Sequence, residues 1–327
     1  MSALRLTLAC WDYDRTRALM DGSVAPDGIE LLYLNQEVEE TFFRMMRHRE
    51  FDCSEMSLSS YTASLQRSDP PFIAIPVFPS RFFRHSCIFV PGKSAIREPA
   101  QLKGKRVGVP EYQMTAPVWI RGILSDDYGL KVTDVEHLSG GEEEPGRDEK
   151  LKLDLPSEIR LKAIGSNQTL SRMLAEGELD ALVAARAPST FPEKTRRLFP
   201  NYVEVEKAYY QRTKIFPIMH TVVIRRNVYE KNRWVAQSLT KAFAEAKSRA
   251  MALYQQTAAL PAMVPWLVAA IEETRREMGE DWWPYGLAPN RKVLETFLRY
   301  HHEQGLSKRR LAPEDLFAPE TLQAFKV

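Results

Sequence analysis

Cysteine is scarce: Cys10, Cys53 and Cys87 are the only three, and their spacing pairs none of them. That excludes a disulfide framework and a thiolate metal site, and it fits a reducing compartment. No stretch approaches the roughly 20 apolar residues of a membrane span. The N-terminus, Met1-Ser2-Ala3-Leu4-Arg5, lacks a basic segment followed by an apolar core, and Asp12 and Asp14 interrupt the nearest candidate. The expectation is a soluble, cytoplasmic chain. Neither sign of charge is in excess, with 45 basic and 43 acidic residues and a net charge of +2. A nucleic-acid or membrane-surface partner is therefore not expected, and a homo-oligomer stays open. HxH, HExxH and phosphate-loop patterns are missing, so neither a metal nor a cofactor is expected, although a metal held by scattered His and Asp stays open. His301 and His302 are adjacent and diverge on a helix. There is no internal repeat and no low-complexity run.

What the chain does have is length and alternation. At 327 residues, 44% of them hydrophobic, it suits two lobes of ordinary size. Leu4, Leu6 and Leu8 alternate as a strand, followed by strands over 29–34, 53–56 and 73–77. Val38, Phe42, Phe43 and Met46 recur at helical spacing, and a second helix is expected over 57–65. This alternation predicts a mostly parallel sheet covered on both faces. A further strand is expected over 86–90. A second unit then opens with a strand over 106–109 and a helix from Thr115 to about Tyr128. After a loop over 139–156, it continues through a helix over 167–176 and a strand over 180–184. The chain returns at 215–226, Asn232 is placed to cap a long helix, and helices are expected near 261–279 and 290–304. A first lobe of 1–92 plus 223–327, interrupted by a second of 93–222, is the layout of the two-lobed, type II periplasmic-binding-protein fold, an α/β architecture whose ligand sits in the cleft between lobes.

Several segments carry a closer resemblance. They are FPSRFFRHS from Phe78, GKRVGVPEYQMTAPVWIRGIL from Gly104, LSGGEEEPGR from Leu138, FPIMHTVVIRR from Phe216, WWPYGLAPNR from Trp282 and QGLSKRRL from Gln304. Together they span nearly the whole chain and resemble the 4,5-dihydroxyphthalate decarboxylase family, itself related to solute-binding proteins. The resemblance implies non-oxidative decarboxylation of a hydroxylated aromatic dicarboxylate in the degradation of aromatic compounds. Two other readings compete. One is a solute-binding protein that delivers an aromatic carboxylate or a thiamine precursor without chemistry. The other is an enzyme of the same fold with a different ring-modifying reaction.

Aryl decarboxylation needs clamps for carboxylates, one general acid, and an acceptor for the phenol proton. Arg81, Arg84 and His85 precede the first crossing strand. Arginine forks match carboxylates, and Arg81→Ala is expected to weaken substrate use. His85 is a candidate proton donor or a satisfied hinge histidine. In extended chain it points opposite to Arg84. His220, in the second crossing segment, is the equal candidate for the acid, with a hinge histidine as its alternative. Glu111, Tyr112, Gln113 and Thr115 lie between a strand end and a helix start, where α/β folds place ligands. Glu111 is the candidate acceptor for a hydroxyl, and Thr115 a cap or a donor to substrate. Ser57, Ser59 and Ser60 offer a facing anion site or ordinary capping. Asp12 and Tyr13 follow the first strand, as a hydroxyl ligand and a ring cover; Arg15 shares that position. Arg186, near Ser189, is a second carboxylate clamp or a surface ion pair. Trp282 and Trp283 read as packing, and 142–144 as a solvated acidic loop.

Overall fold

The computed structural model describes residues 3–323. Two mixed sheets carry the fold. In the first, the strand order is β2-β1-β3-β11-β4, with β1 Leu4–Cys10, β2 Ile29–Asn35, β3 Cys53–Ser57, β4 Phe72–Ile75 and β11 His220–Arg225. The second runs β10-β5-β9-β6-β7-β8, with β5 Ile88–Pro91, β6 Arg106–Val109, β7 Glu136–Ser139, β8 Arg160–Ala163, β9 Ala181–Val183 and β10 Thr195–Arg197. In β1, Leu6, Leu8 and Cys10 are buried, and the strand pairs in parallel with β2 and β3. The strand β11 runs antiparallel to β3 with His220 opposite Ser57 and Val222 opposite Glu55. His220 and Glu55 are thus diagonal neighbours on one face of the sheet, within reach of long side chains.

The sheets place both crossings earlier than the expected boundaries at 92/93 and 222/223. The strand β5 pairs with β9 and β10, so it belongs to the second sheet, and β11 already belongs to the first at His220. Nor does all of the C-terminal portion stay with the first sheet, although Val235, Leu239 and Phe243 of the long helix that follows β11 do pack on it. The later helix Arg291–Glu303 packs on helix Thr115–Tyr128, where Trp119 meets Phe297 and Tyr300 with ring centroids 5.5 and 5.7 Å apart. Gly122 permits this approach, since a Cβ there would lie 2.1 Å from the Tyr300 ring. Phe78, Trp119, Met219 and Phe297 share one buried cluster, so the two halves are joined by a common core rather than by a bare hinge.

Some elements lie outside the expected pattern. β8 and β10, with sequences RLKA and TRR, carry no apolar alternation, and helix Tyr202–Thr213 buries only Tyr209. Asn232 does not cap the long helix Trp234–Leu253; its side-chain amide donates to the Val228 carbonyl and closes the short helix before it. All three cysteines are buried and free. Among the described residues no helix is long and apolar enough to cross a membrane, and no cluster of three or more His, Cys, Asp or Glu is placed to hold a metal.

Candidate active site

A cavity of about 280 Å3 opens where the strand ends of the two sheets meet. From the first sheet's side it is lined by Tyr13, Glu39, Ser57 and His220. From the other come Thr115, Lys150 and Arg186, with Arg84 on the crossing segment between them.

The His220 ring is held from behind. Its Nδ1 lies 2.6 Å from Glu55 Oε1, and the edge of Phe42 packs against it with centroids 4.8 Å apart. Glu55 is fully buried. Burial alone would raise its pKa, but the charge and hydrogen bond of His220, the Tyr13 hydroxyl at 2.7 Å and the Trp11 amide at 3.2 Å outweigh it, holding the carboxyl below its ordinary range. Glu55 is therefore a carboxylate, Nδ1–H donates to it, and Nε2 is the nitrogen left for a ligand. Burial and the same carboxylate push the Tyr13 phenol up, so it stays a donor.

Arg84 is buried, and its Nε and Nη1 donate to Met219 Sδ at 3.1 Å and to the Ala185 carbonyl at 2.9 Å. Its charge acts on the half-buried Glu206, but among the described residues no carboxylate lies within ion-pair distance of it, and its hydrogen bonds use Nε and Nη1, leaving Nη2 for a ligand. Arg186 and Arg147 both pair with Glu39, the latter at 2.8 Å, which ties helix Val38–His48 of the first half to the loops of the second. Burial would raise the Glu39 pKa, and these two guanidinium groups more than reverse it.

Thr115 does not cap its own helix, where Met114 holds that position. Its Oγ1 instead accepts the Ser59 amide at 3.0 Å and bonds Ser57 Oγ at 2.8 Å across the cleft. Ser60 Oγ donates to Gln113 Oε1 at 2.8 Å. These contacts join the halves and occupy the Ser59 amide at the start of helix Leu58–Ser64, part of the expected anion site.

Other candidates lie elsewhere. Glu111 sits behind Gln113, which donates to it at 2.8 Å, and its carboxylate is taken up by Arg147 and Lys150; it positions those cations and does not line the cavity. Tyr112 is buried with its hydroxyl on the Gln304 carbonyl at 3.0 Å. Asp12 pairs with Arg17 at 3.1 Å, outside the cavity. Ser189 bonds Glu143, and Arg15 stacks over Tyr13 and Trp283. The loop over 142–144 is not wholly solvated, because Glu142 is buried and its carboxyl is pushed up to about 7 by that burial.

Arg81 and His85 are structural. Arg81 donates to the carbonyls of Phe216 at 3.1 Å and Pro284 at 2.7 Å, and to Asn290 Oδ1, which ties the crossing segment to the C-terminal turn. Burial brings its pKa down to about 9. Arg81→Ala is expected to lower unfolding free energy by about 2–5 kcal/mol, through three stranded acceptors and a cavity, as read by urea denaturation. His85 packs against Phe199 and Tyr209, and neither ring nitrogen has a partner. Burial, helped by the Arg212 charge, lowers its pKa to about 4 from 6.5. A neutral buried histidine contributes stability that is complete above the unfolded value of 6.5 and is lost as pH falls towards 4. At about 1.4 kcal/mol per unit, the loss is on the order of 3 kcal/mol. In His85→Leu the difference in stability between pH 7 and pH 4 is expected to shrink by that order, with turnover retained; equal pH dependence in the two proteins would refute it.

Glu55, Glu39 and Lys150 were not among the residues singled out from the sequence. For Glu55 there was a signal: an acid inside a short strand between Cys53 and Met56 needs a partner once that strand is buried.

No family model matches the chain. A 4,5-dihydroxyphthalate decarboxylase of Comamonas testosteroni is 42% identical over 330 residues, covering all of both chains. Another, from Pseudomonas putida, is 48% identical over 193 residues, 59% of this chain and 75% of that one. In fold, the periplasmic aliphatic sulphonate binding protein of Escherichia coli superposes with a TM-score of 0.52 at 14% identity, over 98% of this chain and 99% of that one. The sulfonate-binding protein of Methylobacillus flagellatus gives 0.52 at 14%, over 98% and 93%. The architecture is thus the periplasmic-binding-protein fold, and full-length identity to the first of these relatives places the chain in the 4,5-dihydroxyphthalate decarboxylase family.

Proposed function

We propose that the chain is a carboxy-lyase that converts 4,5-dihydroxyphthalate to protocatechuate and carbon dioxide in the cavity lined by His220 and Arg84. The reading rests on family membership, and one observation in the site carries it: a histidine backed by the buried Glu55 carboxylate shares a cavity with a buried guanidinium that has no acid partner.

The chemistry assigns the parts. A ring carboxylate takes the Arg84 fork, whose free Nη2 supplies a charge-assisted donor. Arg186 and Lys150 line the same cavity for the second carboxylate. His220 Nε2 delivers a proton to the ring carbon bearing the departing carboxylate. The para hydroxyl yields its proton to solvent water and becomes a quinoid carbonyl, which gives the ring an electron sink. The C–C bond then breaks, its electron pair restores the aromatic ring, carbon dioxide leaves, and the phenol regains a proton. Glu55 keeps the imidazole oriented throughout. The Ser57–Thr115 contact holds the two halves closed around the reacting ring.

The test is to mix the protein with 4,5-dihydroxyphthalate and follow carbon dioxide and protocatechuate. Catalytic release of both is expected. Stoichiometric binding without turnover would replace the enzyme by a binding protein.

A further inference from the structure

A second concavity, larger than the catalytic one at about 750 Å3, lies on the other side of the strap that carries Lys150. Its rim is basic: Arg47, Arg49, Arg67 and Lys152 all line it and all are exposed, and among the described residues none of the three arginines forms an ion pair with a carboxylate. Lys150 and Lys308 line it as well. The one acid in the lining, Asp154, is paired with Lys308 at 2.9 Å and also feels the Lys152 charge, which leaves the arginines without an acid. The floor is apolar, since Leu151, Leu153 and Leu155 alternate along the strap, half-buried against the core, with Met46 and Leu306 beside them. Lys150 lines both concavities, so one backbone segment is their common wall.

Unpaired cations above an apolar floor fit an anion with an apolar body. The cations take carboxylate groups, and the leucines take the ring that an inorganic anion would lack. We infer that this groove is a second binding site, outside the catalytic cavity, for an aromatic dicarboxylate. The choice of ligand class rests on the decarboxylase reading; the existence of the site rests on the groove's own charge and floor. The positive potential of the rim draws dianions towards the wall that the groove shares with the cavity.

Phthalate is the probe, because without a para hydroxyl it lacks the electron sink and is not consumed. Calorimetric titration of the whole chain is expected to give two phthalate ions per chain. The double variant Arg47→Gln/Arg67→Gln, on exposed side chains outside the catalytic cavity, is expected to lose one of them, or to bind it at least about tenfold more weakly, while turnover at saturating substrate is kept. One phthalate per wild-type chain that the double variant binds equally well, or two in the double variant with unchanged affinity, overturns the groove site. Arg84→Gln separates the two readings. It is expected to remove the other phthalate and leave the groove's; if it removes neither turnover nor binding, the catalytic assignment falls and the groove stands on its own titration.

Discussion

Replacing His220 by alanine is expected to lower turnover of 4,5-dihydroxyphthalate by about 10²–10⁴-fold, the usual contribution of one positioned general acid, with phthalate affinity changed by less than about threefold. The asymmetry follows from the site. His220 meets the cavity through its ring, whereas the cationic groups that would hold carboxylates are Arg84, Arg186 and Lys150. Loss of the imidazole removes the proton donor and leaves the clamps. Glu55→Gln is the companion variant. It keeps a side chain of the same shape 2.6 Å from Nδ1 but removes the charge that fixes the tautomer, so kcat is expected to fall and KM to stay close to the wild-type value. Both are read by steady-state kinetics with protocatechuate as product. Turnover of His220→Ala within about threefold of wild type would remove histidine acid catalysis from this cavity.

The parts legible in the sequence are those with local causes. The strand Arg106–Val109 and the helix Thr115–Tyr128 follow from an apolar run, a proline turn, and Gly129 at a φ of 67° that ends the helix. His220 stands out because a lone histidine enters an apolar crossing strand. Arg84 and His85 could not be ranked, because adjacent residues point opposite ways and sequence alone does not say which way the cleft lies. In the structure Arg84 lines the cavity, while His85 packs against Phe199 and Tyr209. The partners of the site were illegible for another reason. Glu55 and His220 are 165 residues apart, Glu39 and Arg147 are 108 apart, and both pairs exist only through strand register and closure of the halves. Arg81 misled because a buried guanidinium serves carbonyl acceptors as readily as a carboxylate ligand. Three neutral oxygens claim it here.

Arg84→Gln is the stronger test of binding. Truncating one partner of a buried, hydrogen-bonded charge pair costs roughly 2–5 kcal/mol, so the Kd of the cavity for an aromatic dicarboxylate is expected to rise by about 30-fold or more. A buried cation without an acid partner carries a desolvation cost that a bound carboxylate offsets, and Arg84 is in that position while Arg186 and Lys150 already have Glu39 and Glu111. The loss therefore falls on binding and on kcat/KM together. Arg84→Lys is expected to recover only part of it, because an ammonium cannot keep the anchoring bonds of Nε and Nη1 and at the same time present a fixed further donor to the carboxylate. The fold itself should tolerate the change, since Arg84 gives up weak bonds to two sulfurs, of Met219 and Cys87, and one to a carbonyl, a smaller debt than the three oxygen acceptors left by Arg81→Ala. A glutamine variant with unchanged phthalate affinity and a native unfolding midpoint would move the carboxylate clamp to Arg186 and Lys150, and the ring would then have to bind in the opposite orientation relative to His220.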